Sequence, residues 1–160
     1  MAILVESDVS EEWDGRTDWP ALAERAVLAA VAESGWPGLA DTEVSVKFTS
    51  DEEVRSLNSA WRGKDKATNV LSFPMAETPE QAPMLGDIVL AHGVCAREAA
   101  AKEVAVETHA THLVVHGMLH LLGYDHETGD AEAEEMEEIE RKALASLGIS
   151  DPYAITEVDS

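Results

Sequence analysis

Cysteine is almost missing from this chain: Cys95 is the only one in 160 residues. No intrachain disulfide can form, and a reducing, cytoplasmic setting is expected. Basic residues are scarce as well. Eleven Lys and Arg face 32 Asp and Glu, for a formal net charge of −21. Phosphate affinity comes mainly from Lys and Arg, so this balance argues against a generic nucleic-acid binder and against an anionic membrane surface. Long apolar runs are lacking too: no window of about 18 residues is free of charge, so no membrane span is expected. The opening residues, MAILVESDVSEEWD, have no basic stretch and turn acidic by Glu6, so no secretory leader is expected. There are no internal repeats, no low-complexity linker and no D-x-D-x-D-G calcium loop.

What is present is the composition of a globular protein, 45% apolar and 27% charged. One domain over 1–160 is expected, and a chain of this length buries roughly 68–70% of its unfolded surface. Residues 2–7 read as a strand. Pro20 to Ser34 reads as a helix, with Leu22, Ala26, Ala29 and Ala30 on one side and Gly35 as the stop. Residues 43–49 alternate, with Val44, Val46 and Phe48 against Glu43, Ser45 and Lys47, as in a half-buried strand. Ser50 and Glu53 form a capping box ahead of a helix whose buried stripe is Val54, Leu57 and Trp61. Residues 68–73 give a third strand, stopped by Pro74. A Pro-containing loop, ETPEQAPM, leads to a fourth strand over Leu85–Ala91. Val94 to Leu122 has helical composition throughout, but as one helix would span about 43 Å. A break is expected near Lys102–Val106. The last helix runs from Asp130 to Leu147, with Met136, Ile139, Ala143, Leu144 and Leu147 facing inward. Eight acids fall between Glu127 and Glu140; a solvated helix face is the preferred reading of this run, over a cation or partner site.

The informative segment is THLVVHGMLHLLGYDH, residues 111–126. His116 and His120 are four apart, which on a helix places them about 40° apart on one face, close enough to share one ion. Gly123 permits a sharp turn, and His126 can fold back as a third nitrogen. Three neutral imidazoles with an open fourth position are the coordination set of a catalytic zinc. The surrounding helix is apolar nearly all round, so unsatisfied imidazoles there would carry a desolvation penalty. The spacing therefore favours one divalent metal, zinc first, over three unrelated histidines. His109 and His112 extend the stripe and read better as supporting hydrogen-bond partners than as ligands. The spacing equals that of HExxHxxGxxH metalloproteases, but Gly117 stands where those enzymes carry the glutamate base. The metal alone can lower the pKa of bound water to about 7, so a hydrolysis other than peptide cleavage fits better.

Four of the eleven basic residues, Arg55, Arg62, Lys64 and Lys66, lie within twelve positions. A basic loop between a helix end and a strand suits phosphate capture. For Lys64 and Lys66 ordinary surface charge is an equal reading; for Arg62, beside Trp61 at the helix exit, a functional one is favoured.

Three stretches, LNSAWRGKDKATNVLSFP (57–74), LGDIVLA (85–91) and HLVVHGMLHLLGYDH (112–126), together resemble the YbeY endoribonucleases, bacterial metal-dependent proteins of ribosomal RNA maturation. In order and spacing they cover about residues 43–147. Ala67 replaces a proline common in the family, at a position of loop stiffness and not of chemistry. The resemblance implies an α+β fold, a small mixed sheet of about four strands with four or five helices around it. It implies metal ligands at His116, His120 and His126, a functionally important arginine at Arg62, and a metal cleft between helix and sheet. It further implies cleavage of single-stranded RNA in 3′-end processing of small-subunit ribosomal RNA and in ribosome quality control. Ribosomal proteins and a ribosome-assembly GTPase are the partners it implies. Two other readings stand beside it. One is a non-catalytic assembly factor holding zinc, which the charge of −21 suits. The other is a metzincin-like protease, which Gly117 disfavours. The general base is unassigned.

Overall fold

The computed structural model describes residues 3–34, 42–74, 84–124 and 130–149. Their elements run β1 (Ile3–Val9), α1 (Trp19–Ser34), β2 (Thr42–Thr49), α2 (Asp51–Arg62), β3 (Val70–Pro74), β4 (Gly86–Ala91), α3 (His92–Lys102), α4 (Val106–Leu121) and α5 (Asp130–Ser146). The four strands form one sheet in the order β1-β2-β4-β3. β1 pairs parallel to β2 and β2 parallel to β4, while β3 returns antiparallel along β4 and forms an edge. The result is the α+β class with a mixed sheet. No helix among the described residues is long and apolar enough to cross a membrane.

The sheet has two unequal apolar faces. On the larger, Val44, Val46 and Phe48 of β2 and Ile88 and Leu90 of β4 meet α1, α4 and α5. Small residues of α1, including Ala23, Ala26 and Ala30, are fully buried and let α1 approach closely. On the smaller face, Val89 and Ala91 of β4 and Leu71 of β3 pack with Val54 of α2. The alternation of β2 is as expected from the sequence, with Ser45 and Lys47 turned away from the main core. Trp13 and Trp19 close the end of that core in edge contact, ring centroids 4.9 Å apart. Their indole N–H groups donate to Thr49 O at 3.1 Å and Asp14 O at 2.9 Å, so neither is buried unsatisfied.

The Ser50 cap forms: its hydroxyl accepts from the Glu53 N–H at 3.1 Å. The reciprocal half of the capping box does not, because the Glu53 carboxylate turns instead to Lys47 and Thr49. The expected stripe of α2 also needs correction. Val54 is buried and Leu57 half-buried, but Trp61 is 73% exposed, because α2 runs past the last residue that the smaller core can cover. β1 extends two residues beyond the expected strand, paired with β2 through Val9 and Phe48. Gly35, expected to stop α1, and most of the 77–84 loop lie outside the described residues.

The expected break separates α3 from α4. Glu103 ends α3 in the left-handed conformation at φ 59°, its N–H bonded to Ala100 O, and Val104 N–H returns to Ala99 O at 3.0 Å. It is the one non-glycine residue with positive φ among those described. A side chain in that conformation costs about 1–2 kcal/mol, of which glycine's extra chain entropy takes back roughly half. Glu103→Gly is therefore expected to stabilise by about 0.5–1 kcal/mol, raising Tm by about 1–4 °C in a chain of this size. Thermal unfolding followed by circular dichroism checks this, and a fall in Tm contradicts it.

Candidate active site

Helix α4 is buried on nearly every side, which makes its polar residues informative. Four histidines line one stripe of it, and successive ring centroids lie 6.0, 6.4 and 4.6 Å apart from His109 through His112 and His116 to His120. His116 and His120 converge: their Nε2 atoms are 3.1 Å apart. Two nitrogens bound to one tetrahedral zinc at about 2.0–2.1 Å would be about 3.3 Å apart, so the pair has the spacing of two ligands on one ion.

The other side of His116 explains its orientation. Its Nδ1 hydrogen-bonds Oε1 of Glu140 on α5, at 2.5 Å. Glu140 is fully buried. Burial opposes its charge, but the hydrogen bond to His116 and the attraction of the His112 and His116 rings outweigh burial and hold the carboxyl well below the usual carboxylate range. An ionised Glu140 accepts the Nδ1–H of His116. That fixes the tautomer and leaves the Nε2 lone pair directed at His120. His112 Nε2 lies 3.6 Å from the second oxygen of the same carboxylate. His109 belongs to a neighbouring cluster. Its Nε2 is 2.8 Å from Glu98 Oε1, and Asn69 Nδ2 donates to the same oxygen at 3.1 Å. Burial pushes the His109 pKa down, in part offset by its bond to Glu98.

Glu140 corrects the reading of the acidic run as a solvated face. Its position was legible in the sequence: Met136, Glu140 and Leu144 follow at intervals of four, so Glu140 lies inside the apolar stripe of α5. His126, the third expected ligand, lies outside the described residues. Among the described residues no set of three or more His, Cys, Asp or Glu side chains forms a metal cluster.

Arg62 is the last residue of α2. Gly63 follows in the left-handed conformation at φ 69°, donates to Ser59 O at 3.2 Å and turns the chain out of the helix. The basic loop beyond is pinned by a residue the sequence reading passed over: buried Asn58 donates through Nδ2 to Lys66 O at 3.0 Å. Asp65 of the loop engages Arg55 of α2 at 2.7 Å, and Lys64 and Lys66 are exposed. Arg62 makes no ion pair with the described residues and lines a cleft of about 600 Å³ together with Asn69, Ser72, His116, His120 and Tyr124. The cleft thus unites one guanidinium with the converging imidazoles. No carboxylate is among its described lining residues. On the far side, Gly123 at φ 101° takes the chain out of α4, and Tyr124 Oη donates to Ser34 O at 3.2 Å.

Gly117 has a packing role. A Cβ there would meet Ile88 Cγ2 at 2.9 Å and Ser72 Oγ at 3.0 Å. Ser72 Oγ also donates to Gly117 O at 3.2 Å. Position 117 therefore faces the sheet, and glycine is what lets α4 lie against β3 and β4.

The comparisons with known proteins follow from the same residues. A family model described as Endoribonuclease YbeY matches residues 8–148. A protein named Endoribonuclease YbeY from Novosphingobium aromaticivorans is 58% identical over 96% of this chain and 98% of its own length. Another of that name, from Rhizorhabdus wittichii, is 51% identical over 97% of this chain and 99% of its own. Among solved structures, the solution structure of TM1509 from Thermotoga maritima is similar at a TM-score of 0.56 and 27% identity, covering 91% of each chain. The four-stranded mixed sheet with a histidine-bearing helix is the α+β fold of a hydrolase family acting on RNA. The chain belongs to the YbeY endoribonuclease family.

A glutamate at 117 has no room beside Ile88 and Ser72. Gly117→Glu is expected to destabilise by at least ~3 kcal/mol through overpacking and a buried charge, lowering Tm by more than about 6 °C. It is expected to gain no peptidase activity. Chelator-sensitive cleavage of an unfolded protein substrate by the variant would contradict this.

Proposed function

We propose that this protein is a metal-dependent, single-strand-specific endoribonuclease acting in 3′-end maturation of small-subunit ribosomal RNA and in ribosome quality control. The observation that carries the reading is the cleft in which Arg62 and the converging His116 and His120 meet. Relatives named Endoribonuclease YbeY supply the substrate class. Ribosomal proteins and a ribosome-assembly GTPase are proposed as the partners that bring so acidic a chain to its RNA.

In this proposal His116, His120 and His126 hold one divalent cation, zinc first. The 3.1 Å approach of the two Nε2 atoms and the buried Glu140 behind His116 support that donor set. A cation so held supplies Lewis acidity at the phosphate and acidifies water to near-neutral pKa. The protein's own groups do the rest. Glu140 keeps the Nδ1–H of His116 and so keeps Nε2 available. Arg62 binds the scissile phosphate through its forked N–H donors and stabilises the charge that builds on its oxygens. Position 117 offers no base, and the cleft's described lining residues include no carboxylate. The attacking group, a water or the RNA 2′-hydroxyl, then gives up its proton to solvent or to an imidazole that is not holding the cation.

Three outcomes test the reading. His120→Ala is expected to lose at least tenfold in zinc affinity, and Glu140→Gln about 10–100-fold, measured by competition with a chromogenic chelator. Affinity should fall on acidification, because only the neutral ring ligates. Arg62→Ala is expected to lose roughly 10²-fold in RNA cleavage at unchanged circular dichroism, and Arg62→Lys to recover it only in part. Full retention of zinc by His120→Ala, or full cleavage by Arg62→Ala, contradicts the assignment.

A further inference from the structure

A second cavity of about 640 Å³ lies on the smaller face of the sheet, walled by Leu57 and Trp61 of α2, Phe73 and Pro74 of β3 and Val89 of β4. Trp61 is its outermost wall, in edge contact with Phe73 at 6.5 Å between ring centroids. Among the described residues it is the one aromatic side chain that is exposed. Folding does not account for it, since Val54 and Leu57 of the same stripe are covered by the smaller core and Trp61 is not.

The groove adjoins the cleft that holds Arg62. Pro74 lines both. Consecutive helical residues point about 100° apart, so Trp61 and Arg62 divide between the two cavities from one helix end. β3, an edge strand, is the partition: Ser72 lines the cleft, and its neighbour Phe73 lines the groove.

We propose that this groove is a nucleobase subsite. A base next to the phosphate held at Arg62 crosses the β3 edge at Pro74 and stacks on the indole of Trp61, against Phe73. This rests on the ribonuclease reading and extends it. The electrostatics select the base over the backbone. Lys47, the groove's one cation, is taken by Glu53 at 2.9 Å, and Asp87 lines the same wall. Phosphates are therefore not drawn in, whereas a neutral aromatic base gains from stacking on indole whatever its identity. Ser45 and Asp87 offer hydrogen-bonding atoms for its edge. A protein partner fits less well. Among the described residues the other exposed large apolar side chains are Leu4 and Val9 on the opposite edge strand and Leu28 on α1, so none of them adjoins Trp61 to widen the patch toward the roughly 1,000 Å² a specific protein interface needs.

The test uses the full chain and a short fluorescent single-stranded oligomer made nuclease-resistant by 2′-O-methyl and phosphorothioate groups, with fluorescence anisotropy as readout. Trp61→Ala is expected to bind about tenfold more weakly at unchanged Tm, and Trp61→Phe to recover most of the loss. A series of oligomers with one abasic position each separates stacking from a structural effect: at one position the abasic change should erase the difference between wild type and Trp61→Ala. Equal binding by wild type and Trp61→Ala overturns the subsite while leaving the ribonuclease reading intact. So does a loss that no abasic position erases. Failure of the wild-type protein to bind the oligomer and to cleave RNA overturns the ribonuclease reading, and the subsite falls with it.

Discussion

A buried carboxylate governs the geometry of this protein. Glu140 is enclosed by α4 and α5 with its charge intact, and removing the partners of such a charge typically costs several kcal/mol. It is tolerated because His112 and His116 surround it. The same contact therefore does two things at once: it secures α5 to α4, and it sets which nitrogen of His116 faces the cleft. Stability and chemistry are not separable at this position, so the site is stiff for the same reason the core is.

The second constraint is the close approach of α4 to the sheet. With Ile88 and Ser72 within 3.0 Å of where a Cβ at 117 would lie, any larger residue would push the helix outward and carry His116 with it. The residue that distinguishes the histidine motif from that of the metalloproteases is thus explained by packing. The proteases place a working side chain where this fold places a contact. On the other side of β3, α2 ends with Gly63 and delivers Arg62 to the cleft from the opposite wall.

Much of this was readable from residue order. The period-two pattern of β2 and the Ser50 cap follow from local chemistry, the break near Lys102–Val106 from the length a single helix would have, and each is found at its expected place within two or three residues. The approach of His116 to His120 follows from helical periodicity alone. Glu140 and Trp61 mark where local reading failed. Glu140 was hidden by composition: surrounded by acids, it looked like one more surface charge, although its spacing from Met136 and Leu144 put it inside. Trp61 failed in the other direction, since its spacing put it in the stripe but the sheet beneath α2 ends before it. Which side chains a stripe buries depends on how far the partner surface extends, and that is a tertiary fact. The pinning of the basic loop by Asn58 is of the same kind, because it needs the fold to bring Lys66 back to α2.

The uneven distribution of charge has a kinetic consequence. The chain carries −21 overall, yet the cleft beside His116 and His120 holds Arg62 and no described carboxylate. A polyanion approaching from a distance meets net repulsion, and feels the attraction of Arg62 only within a few ångströms. At physiological ionic strength the screening length is about 8 Å, short enough to mute the repulsion of the distant surface while sparing the contact itself. Moderate salt should thus speed the first encounter with a nucleic acid, the reverse of the behaviour of basic proteins that bind such polymers. An acidic exterior around one cationic cleft acts as a kinetic filter against casual encounters.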